Sequence, residues 1–168
     1  WIRNLKVQLK DTGEESLTGS RIFQCMRELP KEEVFCTYGD GVANVDIHKL
    51  LEFHRSKKRL ATLTTVRPPA RFGHVSLDGD RVERFDEKNQ ADEGWINGGF
   101  FVLSPGALSY FRETDEAFEK GALPRLASAG ELMAYKHLGY WRPMDTLRDR
   151  DELTEAALNG GNLPWMSF

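Results

Sequence analysis

The stretch Val34-Phe35-Cys36-Thr37-Tyr38-Gly39-Asp40-Gly41 decides how the rest of the chain is read. It opens as a short apolar run without helical spacing and stops at a carboxylate flanked by glycines. That is the pattern of a buried strand delivering a loop at its C-terminal edge. Beyond it, Ile47, Leu50, Leu51 and His54 recur at helical spacing between Asp46 and Ser56, which predicts a helix. Leu60 to Val66 then concentrates Thr, Leu and Val, as strands do. Strand, helix, strand is a βαβ unit, and it places the chain in the α/β class.

Toward the N-terminus, Leu5 to Leu9 alternates apolar and polar residues, which predicts a half-buried strand, and Asp11-Thr12-Gly13-Glu14-Glu15 is turn-rich. Ser20 is suited to cap a helix carrying Ile22, Phe23, Met26 and Leu29 and stopped by Pro30. Toward the C-terminus, His74 to Leu77 and Arg81 to Phe85 flank Asp78-Gly79-Asp80, a hairpin signal that adds an antiparallel section. Trp95 to Leu103 is a further apolar run, followed by Ser104-Pro105 as N-cap and first helical position. Helical pieces are expected near Pro105 to Phe111 and Leu123 to Ala129, a strand from Leu132 to His137, and a last helix from Thr146 to Leu158 closed by Gly160-Gly161. No repeat, low-complexity tract or linker divides residues 1–168, so a single domain is expected.

Composition narrows the function classes. The chain is 40% hydrophobic and 29% charged, and no apolar run approaches the roughly 20 residues of a membrane span. Its net charge of -3 and its single short basic cluster, Arg55, Lys57, Lys58 and Arg59, suit a solvated helix end rather than a nucleic-acid footprint. Cys25 and Cys36 both fall in apolar stretches and read as small core residues of a reduced, cytoplasmic protein. The chain begins at Trp1 with no visible signal peptide, as it would if an upstream part had been removed.

Several residues carry candidate chemistry. Asp40 sits where open α/β sheets bind ligands, and its glycine neighbours let a phosphate or a metal approach the backbone; taken alone, Gly39-Asp40-Gly41 reads more readily as a common turn. Asp145 falls at or next to a helix start, where capping is the alternative role. If the fold joins Asp40 to Asp145, the pair makes a hard oxygen site suited to Mg²⁺ shared with substrate phosphates. Glu87-Lys88 offers an acceptor for sugar hydroxyls and a point charge for a phosphate, and is also a common exposed dipeptide. Asn97, Gly98 and Gly99 interrupt an apolar strand, which marks a bulge or a close ligand approach. None of His48, His54, His74 and His137 has a partner at ligand spacing, and no Ser-His-Asp order, zinc pattern or P-loop is present.

Taken in order, Tyr38-Gly39-Asp40-Gly41-Val42, Arg71-Phe72-Gly73, Phe85-Asp86-Glu87-Lys88, Ile96-Asn97-Gly98-Gly99-Phe100-Phe101 and Pro143-Met144-Asp145-Thr146-Leu147-Arg148-Asp149 resemble successive motifs of the sugar-1-phosphate nucleotidyltransferases, most closely the glucose-1-phosphate cytidylyltransferases. Asp11-Thr12-Gly13-Glu14 through Thr18-Gly19-Ser20-Arg21 is similar to that branch's segment near the nucleotide, with Ser20 where a second glycine is usual.

The resemblance implies a Rossmann-like nucleotidyltransferase sheet with an added antiparallel section and a C-terminal helix. It also implies magnesium-dependent transfer of a cytidylyl group from CTP to glucose 1-phosphate. In these terms Asp40 and Asp145 hold Mg²⁺ and, with Lys88, are catalytic. Lys88 meets the sugar phosphate, while Gly41, Gly73, Glu87, Asn97 and Gly98 surround the sugar, and Thr12, Gly19 and Arg21 lie on the nucleotide side. The family's opening loop of the form Gly-Gly-x-Gly-Thr-Arg is absent from these residues, so the sheet is expected to be incomplete, and Asn89 stands where proline is typical. The 168 residues alone are therefore expected not to turn over CTP. A non-catalytic sugar-phosphate-binding module, and self-association into a homo-oligomer over a bared sheet edge, are the accompanying expectations.

Overall fold

A computed structural model describes residues 6–68, 74–86, 94–159 and 163–166. Its elements follow in the order α1 (Thr18–Glu28), β1 (Val34–Thr37), β2 (Gly41–Ala43), α2 (Ile47–Lys57), β3 (Ala61–Val66), β4 (His74–Asp78), β5 (Arg81–Asp86), β6 (Ile96–Leu103), a 3-10 helix (Pro105–Tyr110), α3 (Ala122–Ser128), β7 (Leu132–Lys136), β8 (Trp141–Pro143), α4 (Leu147–Leu158) and a last 3-10 turn (Pro164–Met166).

The βαβ unit forms where the spacing predicts it. Asp46 caps α2 by accepting from the amides of His48 and Lys49 at 3.0 and 3.1 Å, and Lys58 ends the helix in the left-handed region at φ 52°. The two strands of the unit are parallel but not adjacent. β6 lies between them, antiparallel to both, and β7 adds in parallel to β3, for a strand order of β1-β6-β3-β7. The hairpin β4–β5 and a ribbon of β2 with β8 supply the antiparallel additions, the second of them unforeseen because each strand is too short to show a period.

β6 is the centre of the core. Phe101 and Leu103 pack with Met26, Phe111, Phe118, Ala122 and Leu126 on one face, and Val102 meets Val45 and Leu50 on the other. Burial on both faces explains why this strand reads as one apolar run instead of an alternation. Phe118 meets the ring of Phe101 edge-on at 5.2 Å and stacks on Phe111 at 5.4 Å. His54 is a core residue whose ring nitrogens are both satisfied, by Thr62 Oγ1 at 2.8 Å and Ser104 Oγ at 2.9 Å. Cys25 and Cys36 are free thiols, half-buried, and burial pushes Cys36 up to about 11.

Other expectations shift. Residues 6–10 form no strand. α1 starts at Thr18, before Ser20, because its entry is held from a distance: the carboxylate of Asp115 accepts the Leu17 amide at 2.8 Å, and the Ser20 hydroxyl accepts from the Glu116 amide at 3.1 Å. The helical piece expected from Pro105 forms with Ser104 at its N-cap, as a 3-10 helix over Pro105–Tyr110. Gly160-Gly161 lies outside the described residues. No described helix is long and apolar enough to cross a membrane.

Candidate functional site

Asp40, Gly41, Asn97, Gly98 and Asp145 come from three distant segments and line one cleft of about 320 Å³, together with Thr37, Tyr38, Trp141 and Pro143. The joining device is the β2–β8 ribbon. Gly41 faces Pro143 in its register, and the Met144 amide donates to the Asp40 carbonyl at 2.7 Å, so the two aspartates flank the same end of the ribbon, Asp40 just before β2 and Asp145 just after β8. Capping does not occupy Asp145. Thr146 is the N-cap of α4: its hydroxyl accepts the Asp149 amide at 3.1 Å while the Asp149 carboxylate accepts the Thr146 amide at 3.1 Å.

The interruption at Asn97 to Gly99 is both a bulge and a cleft wall. Register with β3 slips between Leu63, opposite Phe101, and Thr65, opposite Asn97. A Cβ on Gly98 would come within 2.9 Å of Val66 and 3.0 Å of the Thr64 carbonyl, and Gly99 takes φ +78° with a Cβ position 2.7 Å from the Tyr38 ring. The bulge turns the Gly98 carbonyl to the Trp141 indole, which donates at 2.9 Å, and the Gly99 amide to the side-chain oxygen of Asn97 at 2.8 Å.

Two residues without an expected role, Tyr38 and Glu119, are linked to the cleft by hydrogen bonds. Asn97 Nδ2 donates to the Tyr38 hydroxyl at 2.9 Å, Tyr38 donates to the Glu119 carboxylate, and the other Glu119 oxygen accepts from the Thr18 hydroxyl at 3.0 Å. Burial, followed by donation to Glu119, raises Tyr38 well above the usual tyrosine range. Partial burial opposes ionisation of Glu119, but the hydrogen bonds from Tyr38, from its own backbone and from Thr18 outweigh it and hold the carboxyl below its usual range. A tyrosine ending an apolar strand was the available signal, since its hydroxyl needs a partner. The partner is remote in sequence.

Thr12, Gly19 and Arg21, expected on a nucleotide side, do not line this cleft. Arg21 gathers the turn ahead of α1 by donating to the Ser16 carbonyl at 2.7 Å, the Thr12 hydroxyl at 3.0 Å and the Glu14 carbonyl at 2.8 Å. Gly19 donates to the Glu116 carbonyl at 3.0 Å, and a Cβ there would sit 2.6 Å from that oxygen. Gly73, Glu87 and Lys88 lie outside the described residues.

Among the described residues no three or more His, Cys, Asp or Glu side chains gather as a metal cage. The donors in the cleft are instead Asp40 and Asp145, both exposed. Two carboxylates fit Mg²⁺, which keeps several waters and is commonly shared with substrate phosphates.

Comparison with known proteins places the chain as a whole. The nucleotidyl transferase family model matches residues 5–157. The chain is 42% identical over 163 residues to the glucose-1-phosphate cytidylyltransferase of Salmonella typhi, covering 96% of this chain and 63% of that protein. It is 32% identical over 128 residues to mannose-1-phosphate guanylyltransferase 1 of Arabidopsis thaliana, covering 73% of this chain and 35% of the relative. In fold it is similar to HddC from Yersinia pseudotuberculosis, with a TM-score of 0.61 at 23% identity over 83% of this chain and 62% of that one. The α/β reading agrees with these neighbours, the match runs through nearly every described element, and the chain belongs to the nucleotidyl transferase family.

Proposed function

We propose that the cleft is the metal and sugar-phosphate side of a site for cytidylyl transfer to glucose 1-phosphate. In that reaction a phosphate oxygen of the sugar 1-phosphate forms a bond to the α-phosphorus of CTP as the bond to pyrophosphate breaks, yielding CDP-glucose. One observation carries the reading: residues singled out from three distant motifs line a single cleft. A magnesium ion bound there would neutralise charge developing on the phosphates. The chain's own part is positioning. Asp40 and Asp145 would hold the ion, Asn97 offers an amide to sugar hydroxyls, and Gly41 leaves room for close approach, with its nearest non-local contacts to an added Cβ at 3.8 and 4.0 Å. By the resemblance, Glu87 and Gly73 complete the sugar contacts, Lys88 meets the phosphate, and Thr12, Gly19 and Arg21 serve the nucleotide side. In-line displacement needs little more than orientation and charge neutralisation.

Residues 1–168 contain no Gly-Gly-x-Gly-Thr-Arg stretch, so binding, not turnover, is the measurement made on them. Titration calorimetry with glucose 1-phosphate should give saturable heat that requires Mg²⁺ and is lost in Asp40→Asn. Lys88→Ala should weaken affinity by about 1.5–3 kcal/mol, the worth of a charge-assisted hydrogen bond. No heat with the sugar phosphate, with or without CTP, would sink the reading.

A further inference from the structure

We infer that Glu119 is a positioning residue for the sugar: acting through Tyr38, it fixes the side-chain amide of Asn97 in the one orientation that serves the cleft. The inference rests on the proposed role of Asn97 and adds to that site Glu119, which none of the motifs includes.

The hydrogen bonds have a single consistent direction. The Gly99 amide can only donate, so the Asn97 atom it meets at 2.8 Å is the oxygen, and the nitrogen is the atom that meets Tyr38 at 2.9 Å. A carboxylate can only accept, so the Tyr38 proton points to Glu119 and a hydroxyl lone pair is left for Asn97. Thr18 occupies the second carboxylate oxygen at 3.0 Å, and its hydroxyl accepts the Phe118 amide at 2.9 Å, which ties Glu119 to α1 and to the backbone beside the core residue Phe118. Asn97 Nδ2 carries two N–H groups and gives one to Tyr38, so the other is available to a ligand in the cleft that Asn97 lines. Without Glu119 the tyrosine proton is released to turn toward Asn97. The amide then loses its acceptor and the preference that holds it. Stability alone is a poor explanation of the contact, because Glu119 is exposed and its hydrogen bonds are partly open to water.

The test measures glucose 1-phosphate affinity in the presence of Mg²⁺ on the full chain, with Asn97→Ala, Tyr38→Phe, Glu119→Ala and Glu119→Gln variants, and follows the Asn97 side-chain amide by ¹⁵N NMR. Glutamine can accept from Tyr38 through its oxygen and donate to Thr18 through its nitrogen. It should therefore recover most of the affinity that alanine loses. Tyr38→Phe and Glu119→Ala should each weaken binding about tenfold, as one lost hydrogen bond does, and shift the Asn97 amide resonance, with the double variant no weaker than the weaker single. Wild-type affinity and an unmoved Asn97 resonance in Tyr38→Phe and Glu119→Ala, alongside weakened binding in Asn97→Ala, would overturn the positioning role and leave the site reading intact. Unchanged affinity in Asn97→Ala would instead overturn the sugar contact on which this inference depends. Should Tyr38→Phe fail to fold, the contrast between alanine and glutamine at the exposed position 119 decides the matter.

Discussion

The main-chain amide of Met144 donates to the carbonyl of Asp40 at 2.7 Å, and this bond closes the ribbon in which Gly41 faces Pro143. Two aspartates far apart in sequence consequently line the same cleft. The arrangement leaves Asp145 free of helix capping, which falls to Thr146 and Asp149, and so open to the metal role proposed for it.

That separation can be measured. Thr146→Ala should cost about 1 kcal/mol of stability, the usual worth of an N-cap, with little change in Mg²⁺-dependent sugar-phosphate binding. Asp145→Asn should do the reverse. Denaturant titration and calorimetry on both variants check the pair, and a marked loss of stability in Asp145→Asn would return that residue to a structural role.

The glycines of the cleft differ in what they tolerate. Gly99→Ala must place a side chain at φ +78° against the Tyr38 ring and should destabilise by about 1–3 kcal/mol. Gly41→Ala has ordinary van der Waals clearance and should fold as the parent does, within about 0.5 kcal/mol. Thermal melts distinguish them. Equal losses in both would mean that the bulge is not the constrained element.

His54 predicts a pH dependence. Burial is the main cause that holds its ring below the ordinary value of 6.5, and the ring stays neutral between Thr62 and Ser104. The unfolded chain therefore takes up a proton that the folded chain refuses. Stability is retained above about pH 6.5 and falls as the pH drops below it. The carboxylates held low, such as Glu33 and Glu152, titrate at more acidic pH and do not contribute in this window. Melting temperatures from pH 7 to 5 should decline in the parent and decline less in His54→Gln; parallel curves would exclude the histidine.

In the core, Phe118 is fully buried between Phe101 and Phe111. Phe118→Ala should cost about 3–5 kcal/mol by leaving a cavity. Because Phe118 adjoins Glu119, Phe118→Leu, which keeps most of the volume, should retain sugar-phosphate binding. Loss of binding in a stably folded Phe118→Leu would place the effect in the cleft itself.

The sequence by itself determined the local elements and the identity of the chemistry-bearing residues. The strand leading into Tyr38, the Asp46 cap, the hairpin across Asp78-Gly79-Asp80 and the motifs around Asp40, Asn97 and Asp145 are legible because periodicity, capping and glycine placement act within a few residues. Tertiary structure decided what stands beside what. The insertion of β6 between β1 and β3, the union of β2 with β8, the Asp115 contact that moves the start of α1 ahead of Ser20, and the path from Glu119 through Tyr38 to Asn97 all join segments distant along the chain. No local pattern records such pairings, since a strand shows which face it buries but not which neighbour supplies its hydrogen bonds.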